Sequence, residues 1–501
     1  MIQELTPGLI LSIIIAYFLI LITVSWFTSK NADNATFFLA GRQSPWLLVA
    51  FGMVGATLSG VTFISIPGVV GSGGLNQSFA YMQMVFGYML GYLFIGVVLM
   101  PLYYRLKLTS IYSYLGERLG PNSYQVGSAF FLLSRTIGAA FRLYLVAIVL
   151  QAFVLGPFGI PFWVTVLVTI ILIWIYTFRG GINTIVWTDT LQTTFMIAAM
   201  VMTIVSISRI LELDVTGLVS TIQSSDYSQM FFFEGGWSDP NNFFKQFISG
   251  ALITIVMTGM DQDMMQKNLS CRNIGEAQKN MATFSVALFF VKFLFLALGA
   301  LLYIYATQVG ITIPERTDQL FPTIALQHLS PAVGIFFILG LIAAAYSSAD
   351  SALTALTTAF CVDFLHFETT TREPRQEKRT RFLVHLMFSG ILFLIIVVFN
   401  QINDQAVISK LFEWAGYTYG PILGLFSFSL LTRLRIRDRL VIPVCLAAPV
   451  LSYIINRYSS ELLYGFEFGF LIIALNGLLT FIGLLAISYR EYEVDDEPMS
   501  E

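Results

Sequence analysis

The stretch Gly52-Met-Val-Gly-Ala-Thr-Leu-Ser-Gly-Val-Thr62 decides the fold. It lies inside an apolar window, 46–70, that is long enough to cross a bilayer. Three glycines, two threonines and a serine stand where leucine would be expected. Each glycine weakens a helix by about 1 kcal/mol relative to alanine. A helix is therefore expected to break here, at mid-membrane, which frees backbone carbonyls and hydroxyls. Broken helices of this kind build ion and substrate sites in secondary transporters. The competing reading is a small-residue face packed on a neighbouring helix.

The rest of the chain agrees with a membrane setting. Of 501 residues, 56 % are hydrophobic and 11 % charged, and 45 are Phe. Mean hydropathy is +0.76. A soluble domain carries about 25 % charge, so a single water-soluble globule is excluded, and so is a disordered chain. Apolar windows fall at 8–27, 46–70, 78–103, 126–154, 160–178, 184–209, 245–265, 281–305, 332–365, 380–399, 405–431, 438–456 and 464–488. They predict an all-α polytopic protein of about 13 transmembrane helices. The first window lacks a basic n-region and reads as a retained helix rather than a signal peptide.

Charge gives the orientation. Nineteen of the 27 Lys and Arg fall in one alternating set of loops: Lys30, Arg42, Arg105, Lys107, Arg118, Arg179, Lys267, Arg272 and Lys279, then Arg372 to Arg381, Arg433 to Arg439, and Arg490. The other set is poor in bases and holds the acidic 210–243 loop with its aromatic run Met230–Phe233. The positive-inside rule then places the N-terminus outside and the C-terminus inside. One transmembrane domain, 1–490, with a short acidic cytoplasmic tail, 491–501, is expected, in the plasma or inner membrane.

Several function classes drop out. The formal charge of −3 does not suit nucleic-acid binding. Cys271, Cys361 and Cys445 are isolated, with no disulfide or zinc spacing. There is no GxxxxGK[ST], and the glycines of 68–74 lack the lysine of a phosphate loop. His328, His366 and His385 are scattered, without HExxH or a nucleophile elbow, so the chain is not expected to be an enzyme. A channel would need a continuous polar pore and a sensor a signalling domain, and neither is legible.

Polar residues inside spans are costly and mark functional candidates. In Ala343-Ala-Ala-Tyr-Ser-Ser-Ala-Asp-Ser351, Ser347 and Ser351 share one helical face, Ala344 clusters with Ser347 and Ser348, and Asp350 adds a carboxylate. Such hard oxygens suit a small hard cation; the alternative is hydroxyls bonded back to their own helix. Asp189, two turns into its span, needs a cation partner, either a side chain or a bound ion. Arg135 and Arg142 stand i, i+7 on one face. They repel unless anions face them, and those anions are protein carboxylates or a bound substrate carboxylate. Lys292 either snorkels or bonds a sugar hydroxyl. Asp261 and Asp263 end a span and read as solvated, as helix caps or as site residues.

Five motifs in order resemble one family, over about residues 5–490. They are Phe37-Phe-Leu-Ala-Gly-Arg42; Pro101-Leu-Tyr-Tyr-Arg105 with Thr109-Ser-Ile-Tyr-Ser-Tyr-Leu-Gly-Glu-Arg118; Gly180-Gly-Ile with Trp187-Thr-Asp-Thr-Leu-Gln192; Asp261-Gln-Asp-Met-Met-Gln266; and the Ser347-Ser348 segment ending in Asp363. The chain resembles the sodium/solute symporters. The resemblance implies a LeuT-like fold of two five-helix inverted repeats, 46–209 and 245–431, with extra helices at 438–488. It implies alternating access around a central site, with Na+, a small-molecule substrate and the lipid bilayer as partners. It places one sodium site on the carbonyls of Gly55, Leu58 and Ala344 and the hydroxyls of Ser347 and Ser348. A second sodium site would use Asp189, Ser347, Asp350 and Ser351; Asp350 departs from the serine of two-sodium relatives. The substrate site would draw on Ser59, Thr62, Phe63, Tyr81, Gln83, Asp261 and Tyr417, with Arg135, Arg142 and Lys292 as its charged candidates. The arginines favour an anionic sugar acid or carboxylate. A neutral sugar, polyol or amino acid is the alternative, with Arg135 and Arg142 structural.

Overall fold

The structure is a computed structural model that describes residues 6–28, 42–72, 74–177, 181–367, 373–402 and 407–489. The acidic tail 491–501, the loop bases Lys30, Arg179, Arg372 and Arg490, residues 37–41 and Gly180 of the motifs, and Gly73 of the glycine cluster lie outside the described residues.

Every apolar window meets a helix. In chain order these are α1 (Pro7–Thr28), α2 (Trp46–Thr57), α3 (Val61–Val69), α4 (Tyr81–Arg105), α5 (Pro121–Leu150), α6 (Phe162–Thr177), α7 (Gly181–Ile210), α8 (Phe243–Gly259), α9 (Gln262–Leu269), α10 (Ile274–Val309), α11 (Pro331–Ala359), α12 (Pro374–Ile402), α13 (Val407–Leu431), α14 (Val441–Arg457) and α15 (Ile472–Ala486). By length and apolarity, the described residues hold nine crossing helices, or eleven when the bent pairs α2/α3 and α8/α9 each count as one span. The windows at 160–178 and 405–431 account for the difference from 13. The first meets a shorter apolar helix, Phe162–Ile175. The second meets α13, whose Gly416, Gly420 and Gly424 pack directly on Ile472, Asn476 and Thr480 of α15.

Why these segments are helices follows from their surroundings. With no water to satisfy backbone groups, a spanning segment must satisfy them internally. Loop ends are closed by side chains: Asn273 accepts the Glu276 amide at 2.9 Å to start α10, and Gly310, at φ 79, ends it. Outward faces carry exposed apolar side chains such as Leu19, Ile20, Leu93, Val97, Leu394 and Val398, a belt suited to lipid.

The core is α11. From Gly340 to Ala359 every residue is buried, the pattern of a helix enclosed on all sides. α7 packs against α11 on one side and α2 on the other, while α1 leans on both α7 and α11. α4 packs on α8, and α10 on α2 and α4. The 210–243 loop folds over the end of this bundle. Its Phe232 amide donates to Gln83 Oε1 at 3.0 Å, and the Gln83 side chain donates to the Asn241 carbonyl at 2.8 Å. Cys271, Cys361 and Cys445 are buried.

Candidate functional site

The glycine-rich stretch does break. α2 and α3 meet at 62° across Leu58, Ser59 and Gly60. The Leu58 amide takes the Val54 carbonyl at 2.9 Å, and the Thr62 hydroxyl reaches back to the Thr57 carbonyl at 3.3 Å. A helix end leaves its last carbonyls without intrahelical amides, so this break presents backbone oxygen inside the protein. The glycines also act as a packing face, so both readings of the stretch hold at once. A Cβ on Gly55 would stand 1.9 Å from Thr193 Oγ1, and one on Gly52 3.1 Å from Asp189 Cβ. A Cβ on Gly60 would stand 3.0 Å from the Arg142 carbonyl. Glycine thus lets the break sit directly against α7 and α5.

Opposite the break stands the hydroxyl segment of α11. Ser347 Oγ donates to Asp189 Oδ1 at 2.6 Å. Ser348 Oγ is buried and has no partner among the described residues. Buried hydroxyls are nearly always bonded, so an orphan one is free valence of the kind a small hard cation takes up. Asp350 Oδ1 accepts the Ser351 amide at 2.6 Å.

Asp189 finds its cation within the chain. Lys267 Nζ donates to Asp189 Oδ2 at 2.8 Å and to Ser351 Oγ at 2.7 Å. This corrects the reading of Lys267 as a loop charge: it is 1 % exposed. Sequence order hid the pairing, because Lys267 follows a span end by a few residues and α9 folds back inward. Two of the four groups named for a second sodium, Asp189 and Ser351, therefore hold a lysine.

A cavity of about 90 Å³ adjoins the break. Among its lining residues are Ser59, Thr62, Tyr81, Arg135, Arg142 and Lys292. Lys292 Nζ donates to Thr62 Oγ1 at 2.7 Å and lies 5.6 Å from the Tyr81 ring centroid. Tyr81 and Tyr88 share a hydroxyl–hydroxyl bond at 3.0 Å. Tyr88, Tyr92, Thr254 and Thr258 also line the space. Sequence reasoning missed them, because an aromatic or threonine in an apolar span carries no signal of its own.

The cationic candidates separate. Arg135 forms an ion pair with Asp263. Lys267 forms the other ion pair among the described residues, with Asp189. Arg142 and Lys292 have no acidic partner among the described residues.

Four residues named for the substrate site are directed elsewhere. Phe63 packs into an aromatic cluster with Phe295, Phe321 and Phe337, with ring centroids 5.4–5.9 Å away. Gln83 pins the 210–243 loop. Asp261 starts α9, accepting the amides of Asp263 at 3.0 Å and Met264 at 3.3 Å, and accepts the Tyr419 hydroxyl at 2.6 Å. Tyr417 accepts from Asn456 Nδ2 at 3.0 Å. The side-chain direction of each is set by tertiary packing, which residue type does not reveal.

The motifs serve as scaffold. Gln262 accepts the Ile111 amide and donates to the Thr109 carbonyl, at 3.0 and 2.7 Å. Arg118 donates to the Thr432 carbonyl at 2.7 Å, and Asp363 accepts the Tyr124 hydroxyl at 2.7 Å and that of Ser128. They clamp loops and spans together.

Known proteins share this fold. A Na+-coupled sialic acid symporter, solved in a substrate-bound outward-open state, superposes with a TM-score of 0.81 at 20 % identity, covering 96 % of this chain and 99 % of that one. Mhp1, a nucleobase-cation-symport-1 family transporter, superposes at 0.54 with 12 % identity, covering 91 % and 95 %. These likenesses carry the fold, which is LeuT-like. By sequence, the sodium/sialic acid symporter NanT of Aliivibrio fischeri is 25 % identical, covering 90 % of this chain and 88 % of that protein. SiaT of Proteus mirabilis, also a sodium/sialic acid symporter, is 24 % identical over 98 % of both. The human sodium/iodide cotransporter is 22 % identical, over 79 % of this chain and 61 % of its own length. The profile of the sodium:solute symporter family matches residues 37–434, a range that takes in the broken helix, the Asp189 segment and the serines of α11. The chain belongs to that family, and it is a multi-pass membrane transporter rather than an enzyme.

Proposed function

We propose that this protein imports a small organic anion, an acidic sugar or another carboxylate, together with sodium by alternating access. The observation that carries the reading is the pairing pattern of the buried cations. Arg135 and Lys267 each hold a carboxylate. Arg142 and Lys292 hold none among the described residues, and both line the cavity beside the helix break. Two uncompensated cations in a low-dielectric space call for an anion, and a guanidinium meets a carboxylate bidentately. The sialic acid symport of two relatives fits the same chemistry.

In this reading sodium takes the carbonyls of Gly55, Leu58 and Ala344 and the hydroxyls of Ser347 and Ser348, and the orphan Ser348 hydroxyl supports that assignment. Ser59, Thr62 and Tyr81 contact the substrate with Arg142 and Lys292. Sodium draws the break against α11 and so shapes the neighbouring cavity. Coupling of this kind is reciprocal, so substrate also tightens sodium. One charge falling through 100 mV supplies about 2.3 kcal/mol. The inverted repeats are 46–209 and 245–431, with 438–488 added. The N-terminus is outside, the C-terminus inside, and the bilayer is the plasma or inner membrane. Nucleic acid is not a partner. The neutral-solute alternative needs both arginines to be structural, and among the described residues only Arg135 has a carboxylate.

Uptake into proteoliposomes tests the reading. Acidic sugars and small carboxylates are supplied with and without an inward sodium gradient, beside neutral sugars, polyols and amino acids. Sodium-driven accumulation of an anion is expected. Uptake indifferent to sodium would sink the symport, and sodium-driven uptake of neutral solutes alone would sink the anion.

A further inference from the structure

Lys267, Asp189, Ser347 and Ser351 form a closed polar cluster in the centre of the bundle, each at most 1 % exposed. The oxygens come from two helices, α7 and α11, and carry one net negative charge. Such a set, a carboxylate with hydroxyls, is what a small hard monovalent cation binds. Here it binds an ammonium. Nζ stands 2.8 Å from Asp189 Oδ2 and 2.7 Å from Ser351 Oγ, while Ser347 Oγ steadies Asp189 Oδ1 at 2.6 Å. A buried ammonium carries a heavy desolvation cost unless it is paired and hydrogen-bonded. This one has both.

The ammonium reaches its place because α9 turns inward. The α8/α9 bend of 62° carries Lys267 under α7 and α11, and the Lys267 stem is enclosed. The chain thereby supplies from a side chain of its own a charge that solution could supply only by diffusion. It also ties three elements at one point: α9, α7 and α11. Two of these build the proposed sodium site, since Ser347 and Ser348 lie on α11 and α7 backs the broken helix at Gly52 and Gly55.

We propose that the Lys267 ammonium is a resident cation that takes the place of a second sodium, so that a single sodium accompanies each substrate and removal of Lys267 opens a second sodium site. The proposal rests on the sodium-symport reading for the first ion only. A resident charge balances Asp189 as sodium would, yet never leaves the protein. It therefore stabilises the bundle in every state of the cycle, in the absence of sodium as in its presence. The cost is driving force: one coupled ion concentrates substrate less steeply than two.

Equilibrium binding of ²²Na+ to the purified full chain in detergent tests this, with choline holding ionic strength constant and no substrate added. Wild type is expected to bind one sodium per chain, Lys267→Met two, and the double variant Lys267→Met/Asp189→Asn one again. The melting temperature of Lys267→Met is expected to rise with sodium over a range where wild type has already levelled off. A folded, monodisperse Lys267→Met with no gain over wild type overturns the proposal. Two sodium ions on wild type overturn it as well, and that count needs no variant to fold. No sodium on wild type breaks the symport reading instead, while the difference between Lys267→Met and wild type still decides this one.

Discussion

Two spans bend by the same 62°, yet their breaks are finished in opposite ways. At the α8/α9 break the backbone carbonyls and the helix start are met by protein, although Asp263 Oδ1 is buried without a partner among the described residues. Tyr103 donates to the Gly259 carbonyl at 2.9 Å, Tyr112 to the Met260 carbonyl at 2.8 Å, and Asp261 caps the helix that follows. Arg135 neutralises Asp263, and Lys267 ends the segment on Asp189. At the α2/α3 break the neighbours are glycine, serine and threonine, and the Ser348 hydroxyl of α11 has no partner among the described residues. The cavity, which Thr258 and Met264 of the other bend also line, holds two cations without an acidic partner among the described residues. The bend itself therefore does not make a site; one break leaves its hydroxyls and carbonyls facing a cavity, while the other spends most of its valence on the fold.

The sharpest way to break this contrast is to exchange the two arginines of α5 for glutamine singly. Arg135 belongs to the closed break, and removing one member of a buried pair costs about 3–5 kcal/mol. Arg135→Gln is expected to lower the melting temperature strongly and to yield little folded protein. Arg142 belongs to the open side. Arg142→Gln is expected to fold, with a melting temperature near wild type, and to lose about a hundredfold in anion affinity, on the order of 3 kcal/mol for a charge-assisted contact. Thermal unfolding with and without anion reads both. An Arg142 variant that fails to fold, beside an Arg135 variant that folds and loses ligand, would reverse the assignment.

Next in size is the orphan hydroxyl. Ser348→Ala removes one oxygen from the proposed ion, and a bond to a charged partner is worth about 1.5 kcal/mol at the low end. Sodium affinity is expected to fall about tenfold. Stability without sodium is expected to hold, since no protein partner loses its bond. Sodium-titrated tryptophan fluorescence measures the first and thermal unfolding the second. Unchanged sodium affinity would remove Ser348 from the site.

The open break was legible in sequence, and the closed one only in part. Three glycines with hydroxyls inside an apolar run suit either a break or a small-residue packing face, so Gly52 to Thr62 pointed to the bend without deciding it alone. Ser347, Ser348 and Asp189 were visible for the same reason: polarity is expensive in a membrane. What stayed hidden is which polar groups meet. Asp261 to Lys267 read as a polar span end, because seven residues give no sign that α9 turns back inside and buries a lysine. Arg135 and Arg142 look alike at i, i+7, and only tertiary packing sets one against Asp263. Phe63, Gln83 and Tyr417 failed as cavity residues for the same reason, as position along a span does not fix the direction of a side chain.

The smallest effect probes the closed break from within. Tyr112 is fully buried, and its hydroxyl is the partner of the Met260 carbonyl. Tyr112→Phe keeps the ring against Phe131 and Phe426 and removes one hydrogen bond, worth about 1 kcal/mol. The expected result is a small drop in melting temperature with sodium and anion affinities unchanged, because the bond removed joins two groups of the scaffold. Binding isotherms on the purified variant check it. Were sodium affinity to fall with the hydroxyl, the two breaks would be coupled through α5 and α9, and the division between a scaffold bend and a ligand bend would have to give way to a single unit in which each bend holds the other open.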